Sequence, residues 1–157
     1  MFGKLEEVEI EQVLSSQVVG RIGCNANNTT YIVPISYAYN SGSIYCHTYE
    51  GMKMVMMRAN PLVCFEVDTM ENMGNWKSVV TWGSFEELID EKDQKAAIDI
   101  LYSRKVTGIA SKTLQLLPQW PFPPGDLDKV KGIVFRIRLD KKTGRFEKSE
   151  AVELCGS

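Results

Sequence analysis

The run Ile44-Tyr45-Cys46-His47-Thr48-Tyr49-Glu50-Gly51-Met52-Lys53 brings the chain's single histidine, a glycine and a lysine to the point where an alternating strand gives way to a helix. Anion binding is the chemistry that such an arrangement could perform. Side chains alternate faces along a strand, so Tyr45, His47 and Tyr49 share one side while Ile44, Cys46 and Thr48 take the other. Gly51 is expected to let the backbone turn sharply, and Met52 to Asn60 then reads as a short helix whose first free N–H groups carry partial positive charge. Lys53 adds a full charge in the first turn. It opposes the helix dipole at a cost of roughly a few tenths of a kcal/mol unless an anion bridges the two. A solvated Lys53 and a packed rim histidine are the plain alternatives.

The elements that must position these groups follow from periodicity and breakers. Glu9 to Gln17 has helical spacing, with Ile10, Val13 and Leu14 on one face. Val18 to Ala26 and Tyr31 to Tyr39 read as strands around a polar Asn27-Asn28-Thr29-Thr30 turn, and Ile44 to Glu50 pairs back after Asn40-Ser41-Gly42-Ser43. The helix from Met52 stops before Pro61, because the residue preceding proline disfavours the helical region. Leu62 to Asp68 forms a fourth strand and Trp76 to Ile89 a long fifth, with Gly83 a bulge or close-approach point. Asp90 caps a helix to about Lys105 that buries Ala96, Ala97, Ile100 and Leu101. Val106 to Lys129 reads as an irregular loop with Pro118, Pro121, Pro123 and Pro124. Its Leu114, Leu116, Leu117, Trp120 and Phe122 need something to cover. Ile133 to Asp140 alternates cleanly, and Lys141-Lys142-Thr143-Gly144 is expected to turn the chain back through Arg145 to Glu150 as a hairpin. Six or seven antiparallel strands must bury one face and hide their edges, which predicts an α+β protein built on a small barrel with peripheral helices.

Bulk properties narrow the function classes. A length of 157 residues, 44% hydrophobic and 24% charged, suits one soluble domain spanning the chain. A net charge of −2, with basic residues scattered among acids, lacks the electrostatic footprint of a nucleic-acid binder. No segment approaches the ~20 apolar residues that span a bilayer, and the start of the chain turns acidic at once, so a cytoplasmic protein without membrane contact is expected. Cys24, Cys46, Cys64 and Cys155 form no C-x-x-C pair and read as buried thiols. One histidine cannot assemble a zinc site of the usual spacing, so no metal is expected. There is no G-x-G-x-x-G, P-loop or G-x-S-x-G. A phosphorylated aromatic ligand remains: His47, Lys53 and the helix N–H groups for the phosphate, with Lys77 or Ser78 added if Trp76 to Val79 lies beside the strand of His47.

A family resemblance rests on several motifs together. They are G-x-I-Y-x-H from Gly42 to His47, G-x-K from Gly51 to Lys53, N-P-x-V-C-F-E-V-D from Asn60 to Asp68, and K-S-V-x-x-x-G from Lys77 to Gly83. This pattern resembles the FMN-binding split-barrel superfamily, and within it the pyridoxamine 5′-phosphate oxidase-related proteins that include the nitroimidazole-resistance group. The resemblance implies an antiparallel split β-barrel and a homodimer with FMN at its interface. By motif, Val33, Pro34, Ile35 and Ser36 would border the isoalloxazine ring. Cys46, His47 and Thr48 would approach ribityl and phosphate, Lys53 would pair with phosphate, and Ser78 would complete the set. Trp120 could cover the partner's flavin. The oxidase proper carries T-N-Y-x-S-R-K where this chain has His47 to Lys53, so its arginine is replaced by Met52, and its C-terminal W…R substrate pattern has no counterpart. The resemblance therefore implies an oxidoreductase acting on a small electron-poor molecule, as a flavin reductase or nitroreductase would. The alternative is a non-catalytic module that holds FMN, haem or another flat cofactor.

Overall fold

The computed structural model describes residues 1–104 and 132–150. In chain order these form β1 (Phe2–Lys4), α1 (Glu7–Ser16), β2 (Val19–Ala26), β3 (Thr29–Ser36), β4 (Ala38–Asn40), β5 (Ser43–Thr48), α2 (Met52–Ala59), β6 (Leu62–Asn72), β7 (Asn75–Glu87), α3 (Glu91–Ser103) and β8 (Ile133–Lys148). All pairings are antiparallel, in the order β3-β2-β6-β7-β8-β5-β4, with β1 added to β8. The two ends of the sheet, β3 and β4, are consecutive in sequence and not hydrogen-bonded to each other. The expected α+β barrel is thus a split one, whose sheet curls without closing.

The chain crosses that split at Tyr37, which is fully buried. Its N–H donates to the Val18 carbonyl at 2.9 Å and its hydroxyl to the Leu14 carbonyl at 2.7 Å. The ring meets Phe65 edge-on at 4.9 Å between centroids. A buried phenol is tolerable only with such a partner, and here it ties the end of α1 to the barrel. Around it, Ile22, Phe65, Val67, Val79, Ile44, Cys46, Phe135 and Ile137 point inward at alternate strand positions. Met54, Met56 and Met57 of α2 fill the same core. Asn27, Asn28 and Ser41 adopt positive φ at the two hairpin turns where polar clusters predicted them.

Three expectations are corrected. The expected C-terminal hairpin is one strand: β8 continues through Lys141-Lys142-Thr143-Gly144, each of which serves a tertiary contact. Lys141 lies 5.3 Å above the Trp82 ring. Lys142 pairs with Glu7 at 2.8 Å and also with Glu11. Gly144 leaves room for Leu5, whose Cβ would be only 2.7 Å from a Cβ added there. Second, α3 buries Ala97 and Leu101, while Ala96 is exposed. Third, β5 pairs with the short β4 and with β8, not with the whole preceding strand, because the chain breaks at Tyr37.

The expected irregularity at Gly83 is present. Trp82 opposes Lys141 and Gly83 opposes Leu139, so Asp140 is an extra residue and β8 bends there. A Cβ on Gly83 would lie 2.1 Å from the Arg138 carbonyl oxygen. Gly83→Val is accordingly expected to cost about 1–3 kcal/mol or more by overpacking. Urea unfolding monitored by far-UV circular dichroism checks this, and a midpoint equal to wild type would show that the bend does not need the missing side chain.

Candidate functional site

The link between β5 and α2 is where the sequence concentrates its chemistry. Ile44, Cys46 and Thr48 face the core, as alternation requires, and Tyr45 and His47 face outward. The outward side is not the open aromatic wall that alternation alone suggests. Tyr45 packs with Ile98 of α3 against Leu88, Ala97 and Val134, so α3 covers it. Beyond the covered patch, the His47 ring meets the edge of Tyr49 at 5.7 Å. Gly132, with φ of 105°, passes so close that a Cβ on it would lie 2.9 Å from His47 Nε2 and 2.6 Å from the Thr48 carbonyl. The imidazole is half-buried and held between a tight backbone and an aromatic ring.

Gly51 follows, and its role differs from the expected one. Its φ of 173° is extended backbone that any residue adopts, so no special turn is required of it. A Cβ placed there would meet nothing within 4 Å among the described residues. The glycine keeps space open above the start of α2. Its carbonyl accepts from Met54 at 3.1 Å and Val55 at 3.2 Å, while no acceptor among the described residues takes the N–H of Met52 or Lys53. Lys53 is half-buried and makes no ion pair among the described residues. Among the described residues, N–H groups without an acceptor, open space and an ammonium without an ion pair together favour an anion.

The remaining sequence-derived candidates are distributed as follows. The Cys46 side chain is fully buried in the core, and burial pushes its thiol well above the usual range despite the nearby Arg104 and Lys53 charges. Only its backbone could approach a ligand. Thr48 also faces inward, its hydroxyl 3.4 Å from the Tyr49 carbonyl. On β3, Ile35 is buried, Val33 packs against the core, and Pro34 and Ser36 lie on the outer side of an edge strand. Edge placement suits Pro34, which has no N–H to donate. β3 approaches β5 across the split. Trp120 lies outside the described residues.

Lys77 and Ser78 are not beside His47, because β8 runs between β7 and β5. Ser78 pairs with Arg145 of β8 and His47 with Val134, eleven residues away. That separation is roughly 35 Å along the bent strand. Lys77 instead reaches Glu9 at 3.3 Å, and Ser78 donates to Glu66 at 3.1 Å. Glu66 and Asp68 both pair with Arg21 on the outer sheet face. The sequence could not show this, because strand order was not readable from the motif.

Two features were missed. Arg58, at the C-terminal turn of α2, binds Glu50 and Glu87 together. The charge and spacing of Glu50 and Arg58 were visible, but not their approach. The other is an outer-face row in which Ile32, Gly23, Cys64 and Trp82 are successive cross-strand neighbours. Ile32 is 68% exposed and Trp82 41%, so this tryptophan packs on the outer face and not in the core. A shallow cavity of about 480 Å³ runs along the row, with Leu62 on its rim. Among the described residues no His, Cys, Asp and Glu cluster could hold a metal, and no helix is long and apolar enough to cross a membrane.

Comparison with known proteins places this geometry. The family model described as pyridoxamine 5′-phosphate oxidase matches residues 6–145. An uncharacterized protein of Rhizobium meliloti (strain 1021) is 30% identical over 145 residues, covering 87% of this chain and 89% of that protein. A FAD-binding protein from Mesorhizobium loti superposes with a TM-score of 0.74 at 30% identity, covering 94% of this chain and 99% of that one. A candidate 5-nitroimidazole antibiotic resistance protein from Bacteroides thetaiotaomicron shares the fold, with a TM-score of 0.70 at 18% identity over 93% of this chain and 87% of that one.

The two glycines flanking the site should respond oppositely to a methyl group. Gly51→Ala, in extended backbone with open space, is expected to keep stability within about 0.5 kcal/mol of wild type or raise it. Gly132→Ala should cost about 1–3 kcal/mol through its positive φ and the clash with Thr48. Paired urea titrations decide, and equal losses would mean that Gly51 serves the backbone turn after all.

Proposed function

This chain belongs to the pyridoxamine 5′-phosphate oxidase family, and on that footing we propose that it binds a flavin, as FMN, with the phosphate seated at the start of α2. The observation that carries the reading is the N-terminus of α2, which among the described residues has space above Gly51, N–H groups at Met52 and Lys53 without an acceptor, and a half-buried Lys53 without an ion pair. A phosphate monoester satisfies all three at once, and relieves the lysine's conflict with the helix dipole. His47, fixed by Gly132 and Tyr49, presents its ring from the same link. Val33, Pro34, Ile35 and Ser36 border the flat ring from β3, and the backbone at Cys46 and Thr48 borders the ribityl chain. The family relative from Mesorhizobium loti is a FAD-binding protein. Its ligand supports a flavin and leaves the adenylate half as the point to be measured.

In this reading the protein is a cytoplasmic homodimer with its flavin between protomers. The outer-face row of exposed Ile32, half-buried Cys64 and exposed Trp82 supports it, since an apolar sheet face of this kind calls for cover. We assign Lys77 and Ser78 to the ligand of the second protomer, because both lie far from His47 along β8. Bound flavin supplies electron transfer; the chain holds the phosphate, orients the ring against β3 and keeps water from it. The reaction we infer is reduction of a small electron-poor organic molecule.

Purified protein should carry or take up FMN, identified by its absorption spectrum and by mass spectrometry of the released ligand. Colourless protein that binds no flavin overturns the proposal, and release of FAD replaces FMN in it. Lys53→Ala should weaken FMN binding by about 1.5–3 kcal/mol, roughly 10- to 150-fold, in a fluorescence titration. Stopped-flow reduction of the bound flavin by NADH or NADPH separates an oxidoreductase from a carrier, which would bleach only slowly.

A further inference from the structure

Glu50 places a carboxylate immediately before Gly51, beside the N–H groups that a phosphate would meet. Left to itself it would repel a dianion. Arg58, at the far end of α2, takes it away: Arg58 Nη2 lies 2.7 Å from Glu50 Oε1, and Nη1 donates to Glu50 Oε2 at 2.9 Å. The same guanidinium grips Glu87 through Nε at 2.9 Å and Nη2 at 3.0 Å. Glu87 closes β7 and is paired with Phe135 of β8, so this anchor belongs to the rigid sheet. Three planar groups are thus locked in one arrangement, with bidentate geometry at both carboxylates.

We propose that Arg58 is a positioning residue for the anion site: it pairs with Glu50, holds it off the start of α2 and pins the Tyr49-Glu50-Gly51 link to the end of β7. This rests on the flavin reading above and goes beyond it, because Arg58 lies outside the His47 to Lys53 run that suggests the ligand and Glu50 has no assigned role within it. The hydrogen bond from Arg58 also holds the Glu50 carboxyl below the usual carboxylate range, so it stays charged and stays in the clamp. While the clamp is closed, the Glu50 carboxylate is held at Arg58 and not at the start of α2. A further consequence is selectivity: the clamp matters for ligands with a phosphate and not for their uncharged counterparts.

FMN and riboflavin titrations of four proteins test this. Arg58→Ala should weaken FMN binding roughly tenfold, as an uncompensated charge a few ångströms from a dianion implies, and leave riboflavin within about twofold. Glu50→Gln alone should bind FMN as tightly as wild type or tighter. The double variant Glu50→Gln with Arg58→Ala should recover FMN affinity to within about threefold of wild type, which neither a folding defect nor direct phosphate contact by Arg58 would allow. A double variant as weak as Arg58→Ala, an equal loss for riboflavin, or weakened FMN binding by Glu50→Gln would each overturn the proposal. Wild-type protein that takes up no flavin overturns the underlying reading and this one with it. FMN binding that depends on Lys53 but is unaltered in Arg58→Ala overturns this inference alone.

Discussion

Gly83 sits against the Arg138 carbonyl, closer than any side chain would permit, and the course of the sheet depends on that approach. At this point β8 carries one residue more than β7, so the strand bends and its two halves serve different partners. The half before the bend joins β7 to β5, and the half after it joins β7 to β1. Twist alone curls a sheet gradually. A bulge beside a glycine concentrates the turn, and here it lets a single 16-residue strand line much of the wall.

Because the sheet curls without closing, its edges are exposed where β3 and β4 end, and the chain must pass between them. Tyr37 makes that passage affordable in physical terms: its polar groups are satisfied inside and its ring is packed on Phe65. α2 then fills the core with three methionines, whose flexible side chains suit an irregular space. The same helix exposes its first N–H groups at the rim. Core packing and anion binding are thus two ends of one eight-residue element.

Charge is distributed around that element with a consistent sense. Lys53 makes no ion pair among the described residues, whereas several other cations do: Arg21 with Glu66 and Asp68, Lys77 with Glu9, Arg136 with Glu86, Lys142 with Glu7 and Glu11. These pairs are partly solvated, and individually contribute little to stability. Their effect is to set direction, leaving the start of α2 as a place where positive charge is not already compensated.

The sequence alone determined what local chemistry can determine. Alternation assigned the inward and outward residues of β5, asparagine-rich turns marked the hairpins, Asp90 capped α3 by accepting from the Lys92 N–H, and the grouped motifs identified the family. It misassigned Lys141 to Gly144 as a turn, because Gly144 is small to admit Leu5 and not to change direction. It left open whether Lys77 and Ser78 lie beside His47. Only the tertiary structure settled that β8 intervenes, that α3 covers Tyr45, and that Arg58 folds back on Glu50. The physical reason is the same in each case. Turn, strand and cap preferences act between residues near in sequence, whereas strand order, register and clamp geometry come from which distant surfaces bury each other best.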